Sequence, residues 1–369
     1  MGHRHPRTIL VVVTRQIGDV LLATPLLRSL RRGFPEAAID VLVNRGTEGV
    51  LDGNADIRRV LVLPERPSWR DYTRWLRDVA RRYDLAVPVI PGDRPFAYAL
   101  IAARSRVGVV PVAGQTGHWK RRFYDCVVAN DMQAPMVIQY LRLADCLGIE
   151  RRYDVVPPAA LGSVATYLAG LVPFEWEKTR FAVLHLAPLR RYKRWTHEGW
   201  RRVVGHLVGR GVPVLVSGGP APAEKDYVRE ALGERYGAVT DLTGRLSFSV
   251  LATLLRHAMV YVGPDTVVTH LAAATGVPTL ALYGPTDPVR WGPWPTGFME
   301  NRSPYAKVGG LQRAGNVILF QGPGRCVPCQ EEGCERHRES FSRCLDELPP
   351  ESVIAVLDEM LSRQPLGKV

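Results

Sequence analysis

A carboxylate, Asp19, follows the β-branched segment Thr8–Val13. In an open parallel sheet, ligands bind beyond the carboxyl ends of the strands. A carboxylate there could act as a general base toward a hydroxyl group, and Gly18 would let a ligand approach the backbone. Asp19 could instead cap the helix that the pattern predicts over Val20–Arg32, and its spacing alone favours this cap.

A second group of reactive residues lies between the predicted strand Met259–Gly263 and the predicted helix Val267–Thr275. A helix N-terminus offers free N–H groups and partial positive charge, which suits a diphosphate. We expect Asp265 and Thr266 at the mouth of this anion site, with His270 one turn further in. A capped helix with a core histidine is the simpler alternative, but the three side chains together favour function.

A basic loop, Pro188–Trp195, follows the predicted strand Phe181–Leu186. Lys193 in this loop could meet phosphate oxygens, because the loop would lie at the ligand-binding edge of the sheet. The alternative is a solvated basic loop.

The elements that would hold these residues alternate between strand and helix. The further strands predicted in the first half are Ile39–Val43, Val60–Leu63 and Leu85–Ile90, and the second half adds Val214–Ser217 and Thr279–Tyr283. Such alternation indicates an α/β fold with parallel sheets, and 369 residues suit two domains. Neither a G-x-G-x-x-G sequence nor a P-loop lysine occurs near Asp19, which argues against dinucleotide binding there.

Proline and glycine break the pattern between Pro157 and Pro173, where we expect the domain boundary. The resulting division is an N-terminal domain at 1–165, a second domain at 166–348 and a C-terminal helix and tail at 349–369. Residues 286–325 are rich in Gly, Pro and Trp and are predicted to be irregular.

The chain carries 48 Lys and Arg against 36 Asp and Glu, a formal net charge of +12. This charge suits a polyanionic partner, such as nucleic acid, an anionic membrane or a phosphorylated glycolipid, but it also fits a merely solvated surface. The apolar N-terminal stretch Ile9–Val13 is far shorter than a membrane span. We therefore expect a cytoplasmic protein that touches membranes only from the surface.

The ordered motifs resemble those of glycosyltransferase family 9, the ADP-heptose:lipopolysaccharide heptosyltransferases. The resemblance covers nearly the whole chain. Each motif alone is weak evidence for the family, but the ordered set is strong evidence. The motifs are Gly18-Asp19-Val20, Thr24-Pro25, Leu184-His185, Lys193-Arg194-Trp195, Leu242-Thr243-Gly244, Gly263-Pro264-Asp265-Thr266, His270-Leu271-Ala272-Ala273-Ala274, Gly276, Tyr283-Gly284-Pro285-Thr286-Asp287-Pro288 and Trp291-Gly292-Pro293.

This resemblance implies a GT-B architecture, in which two Rossmann-like domains face a cleft and the terminal helix often packs back on the first. The first domain would bind a lipopolysaccharide core or lipid A acceptor, and the second would bind ADP-heptose. It further implies an inverting, metal-independent reaction in which Asp19 is the base, reversing the preference for a cap. Lys193 and the helix that begins at Asp265-Thr266 would stabilise the leaving diphosphate.

At two positions in the expected donor site, this sequence differs from the usual pattern of the family. Val267 stands where the family usually has Gly, and Pro188-Leu189 stand where many members have small hydroxyl residues. Glu224 is a candidate ribose or base contact by position, although a helix-surface glutamate is the simpler interpretation.

Three consecutive basic residues, Lys120, Arg121 and Arg122, could contact the acceptor's phosphates and carboxylates, or could be surface charge alone. The same basic character fits peripheral contact with the anionic inner membrane surface.

Four cysteines form a segment at 326–344, which we call the cysteine-rich segment: Cys326, Cys329, Cys334 and Cys344. Four thiols suit structural zinc or iron, and reduced thiols without metal are the alternative. A related branch that heptosylates autotransporter proteins resembles this chain in having such a segment, which raises the alternative of a protein acceptor. A transferase of the same fold with another nucleotide sugar is a further alternative. A nucleic-acid-binding protein is the remote one, because recognition motifs for DNA or RNA are lacking.

Overall fold

A computed structural model describes residues 6–64, 68–160 and 162–363, apart from the side chain of Arg74. It divides into two compact units. The first comprises Met1–Pro158 and the short segment Gly297–Arg302, and the second comprises Ala159–Thr296 and Ser303–Val369. The chain therefore passes between the units three times, after Pro158, Thr296 and Arg302.

The first unit is a parallel sheet of six strands with helices between them. The strands are β1 Thr8–Val13, β2 Ala38–Asn44, β3 Arg59–Leu63, β4 Tyr83–Pro88, β5 Ala103–Val110 and β6 Cys126–Ala129, and the helices are α1 Ile17–Leu22, α2 Thr24–Gly33, α3 Trp69–Val79, α4 Asp93–Ala102 and α5 Met136–Cys146. The strand order is β3-β2-β1-β4-β5-β6, with every pairing parallel.

The central strand, β1, explains why this sheet forms. Its residues from Ile9 to Val13 are completely buried, as expected for a strand covered on both faces. The strand ends at Val13, and the chain turns directly into α1, which brings Asp19 to the carboxyl edge of the sheet.

The second unit contains a seven-stranded sheet. Its strands are β7 Ala182–His185, β8 Val214–Ser217, β9 Thr240–Asp241, β10 Val260–Pro264, β11 Thr279–Tyr283, β12 Leu311–Ala314 and β13 Val317–Gln321, and its helices are α6 Val164–Ala169, α7 His197–Gly209, α8 Pro222–Leu232, α9 Phe248–His257, α10 Val267–Thr275, α11 Pro288–Trp291, α12 Arg343–Asp346 and α13 Pro350–Ser362. The order is β12-β13-β11-β10-β7-β8-β9, and only β12 runs antiparallel to its neighbour.

Side-chain caps start two of these helices. Thr196 accepts a hydrogen bond from the backbone N–H of Gly199 at the start of α7, and Ser247 accepts one from Val250 at the start of α9. Each cap satisfies a backbone donor that the helix itself leaves unpaired.

The terminal helix packs on the second unit, which corrects the expectation that it returns to the first. Val353 and Leu357 of α13 are fully buried in the same apolar cluster as Trp200 and Val204 of α7. Ion pairs at the edge of this contact join Arg210 to Asp358 and Arg202 to Glu351.

The prediction that residues 286–325 are irregular is wrong in part, because β12 and β13 form a hairpin there. A second difference concerns Cys126 and Cys146, which look isolated in the sequence. The structure joins them by a disulfide between β6 and the last residue of α5. Over the described part of the chain, none of the helices is long and apolar enough to cross a bilayer.

Candidate active site

Asp19 lies inside the first turn of α1 and does not cap it. The N-cap residue is Gln16, whose side chain makes no capping bond. Asp19 is only 3% exposed, and its Oδ1 accepts a hydrogen bond of 2.9 Å from the hydroxyl of Tyr140 on α5. Arg15 Nε lies 3.7 Å from Asp19 Oδ2. The carboxylate is thus held in a defined orientation at the carboxyl edge of the first sheet.

A cavity of about 430 Å³ opens at this same edge of the first unit. It is lined by residues at or just after the ends of four strands and by residues of α4: Thr14, Asn44, Leu63, Pro64, Ile90, Pro91, Gly92, Asp93, Arg94, Pro95 and Tyr98. Its position is the usual one for a ligand in an open α/β sheet.

The three predicted acceptor residues lie in the 3-10 helix His118–Phe123, but they differ in exposure. Lys120 is 7% exposed; its ammonium pairs with Asp93 and lies 5.7 Å from the ring centre of Phe96. Arg121 and Arg122 are exposed. Lys120 is therefore buried against Asp93, whose carboxylate lines the cavity, and of the three residues only the two arginines face solvent.

In the second unit, Lys193, Asp265 and Thr286 form one polar cluster. Lys193 Nζ lies 2.5 Å from Asp265 Oδ2, and Thr286 Oγ1 donates to the same oxygen at 2.6 Å. Burial is the largest single effect and would raise the pKa of Asp265, but the opposing charges and hydrogen bonds together, led by the charge of Lys193, outweigh burial and lower the pKa. Asp265 is therefore ionised, and it is buried instead of standing at the mouth of the site as expected.

Thr266 is the N-cap residue of α10 and has extended backbone angles, φ −147° and ψ 169°. Its side chain does not cap the helix. The N-terminus of α10 thus begins directly beside the Lys193–Asp265 pair, as the sequence predicts for an anion site.

Two buried histidines of the second unit are neutral at pH 7. His270 on α10 and His185 at the end of β7 are each 6% exposed. Burial lowers the pKa of each to about 4. His270 Nδ1 has no hydrogen-bond partner among the described residues, whereas His185 Nδ1 lies 3.2 Å from Ser217 Oγ.

Glu224 lies in the first turn of α8, where Oε2 accepts a hydrogen bond of 2.6 Å from the backbone N–H of Gly219. One carboxylate oxygen therefore orders the turn after β8, at the carboxyl edge of the second sheet.

The four thiols of the cysteine-rich segment influence one another electrostatically. Burial, then the neighbouring Cys329, Cys334 and Cys326, raise the pKa of Cys344 to about 12. As placed, however, the described residues contain no group of three or more His, Cys, Asp or Glu side chains arranged to hold a metal ion.

Sequence reasoning missed Tyr140, Thr286 as a partner of Asp265, and the cavity. Tyr140 is 121 residues from Asp19, so no local pattern links them. In the sequence, Thr286 stands out only as a member of a motif. Its contact with Asp265 follows from the parallel pairing of β10 with β11, which brings both strand ends together.

A family model described as glycosyltransferase family 9 (heptosyltransferase) matches residues 94–316, which is more than half of the chain. The protein therefore belongs to this family and is a glycosyltransferase. The resemblance noted from the motifs is confirmed.

Known relatives extend the similarity over almost the full length. The chain is 26% identical over 373 residues to lipopolysaccharide heptosyltransferase 3 of Escherichia coli, covering 95% of this chain and 98% of the relative. Among solved structures, a family 9 glycosyl transferase from Veillonella parvula matches with a TM-score of 0.74 and 18% identity, covering 97% and 98% of the two chains. The E. coli ADP-heptose lps heptosyltransferase II matches with a TM-score of 0.72 and 20% identity, covering 96% and 99%. These matches confirm the α/β, GT-B fold class.

Proposed function

We propose that this protein transfers heptose from ADP-heptose to a lipopolysaccharide core acceptor with inversion at the anomeric carbon. The observation that carries the proposal is the cluster of Lys193, Asp265 and Thr286 at the N-terminus of α10, in a chain of this family. The relative with the name lipopolysaccharide heptosyltransferase 3 supports the choice of sugar and acceptor.

In the proposed reaction, each domain supplies one part of the chemistry. The first unit binds the acceptor, and the second unit binds the nucleotide sugar. Asp19 takes the proton of the acceptor hydroxyl as its oxygen attacks the anomeric carbon. The bond from that carbon to the diphosphate breaks on the opposite face, and ADP leaves.

Lys193 and the N-terminus of α10 would stabilise the negative charge that grows on the leaving diphosphate. The ammonium has three N–H donors, so it can keep Asp265 as one partner and donate to phosphate oxygens with the others. Asp265 would then act as the anchor that aims Lys193. Thr266 and His270 complete this pocket in the proposal, and Glu224 is the candidate contact for ribose or base.

The acceptor is proposed to enter the cavity beside Asp19's sheet edge, with Arg121 and Arg122 meeting its phosphate groups. Lys120 would contribute indirectly through its pair with Asp93, which lines that cavity.

The same 3-10 helix supports peripheral contact with the anionic inner membrane surface from the cytoplasmic side. Trp119 is 56% exposed and Phe123 is 40% exposed, and the exposed Arg121 and Arg122 lie between them in sequence. Aromatic side chains favour the membrane interface, and arginines favour anionic lipid.

We also propose a structural zinc or iron ion at Cys326, Cys329, Cys334 and Cys344, with no cofactor needed for catalysis. The C-x2-C spacing supports it, but the four thiols would have to move closer together than they lie. Metal content of the purified protein tests the proposal. A protein that contains no metal, and whose melting temperature does not change with a chelator, would refute it.

The function is tested by a donor screen. Purified protein is incubated with ADP- and UDP-sugars and a lipid A–core acceptor, and the product is identified by mass. Transfer of heptose from ADP-heptose alone is expected. Transfer of another sugar, or transfer only to a protein acceptor such as an autotransporter, would favour the alternatives instead. Salt-sensitive binding to DNA without any transfer would favour the remote nucleic-acid alternative.

A further inference from the structure

The cysteine-rich segment contacts two separate loops of the second unit. One is the basic loop that carries Lys193, and the other is the loop after β11 that carries Thr286. These are the two residues that meet on Asp265 Oδ2.

The contact with the first loop is made by Ser342. Its hydroxyl, 2% exposed, donates a hydrogen bond of 2.6 Å to the backbone carbonyl of Tyr192. The Tyr192 carbonyl and the Lys193 N–H belong to one planar peptide unit. On its other side, that N–H donates 3.0 Å to the carbonyl of Arg190. The peptide from which the Lys193 side chain departs is therefore held at both ends.

The contact with the second loop has the same form. The backbone N–H of Gln330 donates a hydrogen bond of 2.7 Å to the carbonyl of Pro285, which shares a peptide unit with Thr286. The neighbouring Gly284 packs against the end of the segment, since a β-carbon added there would lie 3.1 Å from Cys344 Sγ. A side chain at Gly284 would push the loop and the segment apart.

We propose that Ser342 is a positioning residue of the donor site, through which the cysteine-rich segment aims Lys193 at the diphosphate of the nucleotide. This rests on the proposed function, in which Lys193 binds that diphosphate. Because the segment holds both peptide units, a change in its folding alters Lys193 and Thr286 together.

The test compares two buried serines of the same segment. Ser342→Ala removes the bond to Tyr192. Ser340→Ala is the matched control, because Ser340 Oγ bonds only within the segment, accepting from the Glu335 N–H and donating to the Phe341 carbonyl. Dissociation constants for ADP are measured by calorimetry, and melting temperatures are measured for both variants.

We expect Ser342→Ala to weaken ADP binding by about three- to tenfold, the usual net value of one hydrogen bond. Ser340→Ala should change the affinity by less than twofold, and Ser342→Thr, which keeps the hydroxyl, should restore most of it. In a Lys193→Ala background, Ser342→Ala should have little further effect, because the two changes act on one interaction.

Unchanged ADP affinity in Ser342→Ala would overturn the proposal, as would equal losses in the two serine variants or additive losses with Lys193→Ala. These outcomes leave the proposed function standing. Failure of the wild-type protein to bind ADP would instead refute the proposed donor site and, with it, the basis of this inference. If Ser342→Ala does not fold, Ser342→Cys, which keeps the size of the side chain but replaces the hydroxyl with a weak donor, and its Lys193→Ala double variant provide the same comparison.

Discussion

The hydroxyl of Tyr140 lies 2.9 Å from Asp19 Oδ1, and both side chains are buried, Tyr140 completely. The bond ties helix α5 to helix α1 across 121 residues of sequence. It leaves the carboxylate ordered without a capping role, so Asp19 can be used for proton transfer.

Tyr140→Phe should lower kcat about tenfold, because a hydrogen bond to a charged group is worth more than one between neutral groups. The KM for the donor should hardly change, since Tyr140 and the donor cluster belong to different units. Steady-state kinetics at several pH values would check this. A purely structural role for Tyr140 would appear as a lower melting temperature with normal kcat and an unshifted pH profile.

Asp19→Ala should abolish transfer while ADP-heptose still binds nearly as in the wild type. The loss follows from removing the proposed base, which typically contributes 10²- to 10⁴-fold to a rate. Single-turnover assays and donor binding by calorimetry measure the two effects separately. Near-normal turnover in this variant would exclude Asp19 as the base.

Lys193→Ala should weaken donor binding or slow departure of the leaving group, by an expected factor of roughly tenfold or more. It also leaves the buried Asp265 carboxylate without its ammonium partner, which costs stability. The double variant Lys193→Ala, Asp265→Asn removes that second effect and should recover melting temperature without recovering activity. Kinetics unchanged from the wild type in Lys193→Ala would contradict a role at the phosphates.

Stability should fall as the pH is lowered from about 6.5 toward 4. The pKa of His270 and that of His185 are about 4 in the folded protein, below the value near 6.5 of an unfolded chain. Between these pH values, the two histidines bind protons in the unfolded chain but not in the folded protein. The free energy of unfolding therefore falls by up to about 1.4 kcal/mol per histidine for each pH unit.

Urea unfolding at pH 7, 6 and 5 would measure this loss for the wild type and for His270→Gln. The variant should lose less stability between pH 7 and 5. His337→Gln, at an exposed position, serves as the control and should follow the wild type. If the free energy of unfolding fell equally with pH in all three proteins, the low pKa of His270 could not be the cause of the loss.

Reduction of the Cys126–Cys146 disulfide should destabilise the first unit. The bond closes a sequence separation of 20 residues, for which chain entropy predicts roughly 3 kcal/mol. It also joins β6 to α5, the helix that carries Tyr140, so kcat should fall with reduction. Thermal unfolding with and without dithiothreitol checks this, and Cys126→Ser should reproduce the reduced protein and be insensitive to the reagent. An insensitive wild type would show that the pair is not bonded in solution.

Several elements are predicted well because their cause is local. The strand β11 and the helix α10 have the predicted bounds, since apolar or helical patterns there end at Gly or Pro. The last two strands of the first unit, β5 and β6, were not predicted. β5 begins with exposed or half-buried residues, Arg104 to Arg106, which hide the apolar pattern that marks a strand.

The sequence contains a turn signal for the β12–β13 hairpin, but the composition around it pointed to irregular structure. The two strands are separated by Gly315-Asn316, a pair typical of a tight hairpin turn, but the many Gly, Pro and Trp residues nearby favoured an irregular region. In the candidate site, single residues such as Asp19 and Lys193 could be chosen from sequence. Their partners could not be chosen in this way, because Tyr140 and Thr286 are distant in sequence and come close to the site only through the folding of the sheets.

The short segment Gly297–Arg302 belongs to the first unit although it lies far along the chain. Its Asn301 accepts a hydrogen bond of 2.5 Å from Arg151. During synthesis, the first unit therefore lacks one of its parts until the stretch Ala159–Thr296 of the second unit has been made. Neither unit corresponds to a continuous stretch of the gene, so a fragment ending at Pro158 would be an incomplete domain.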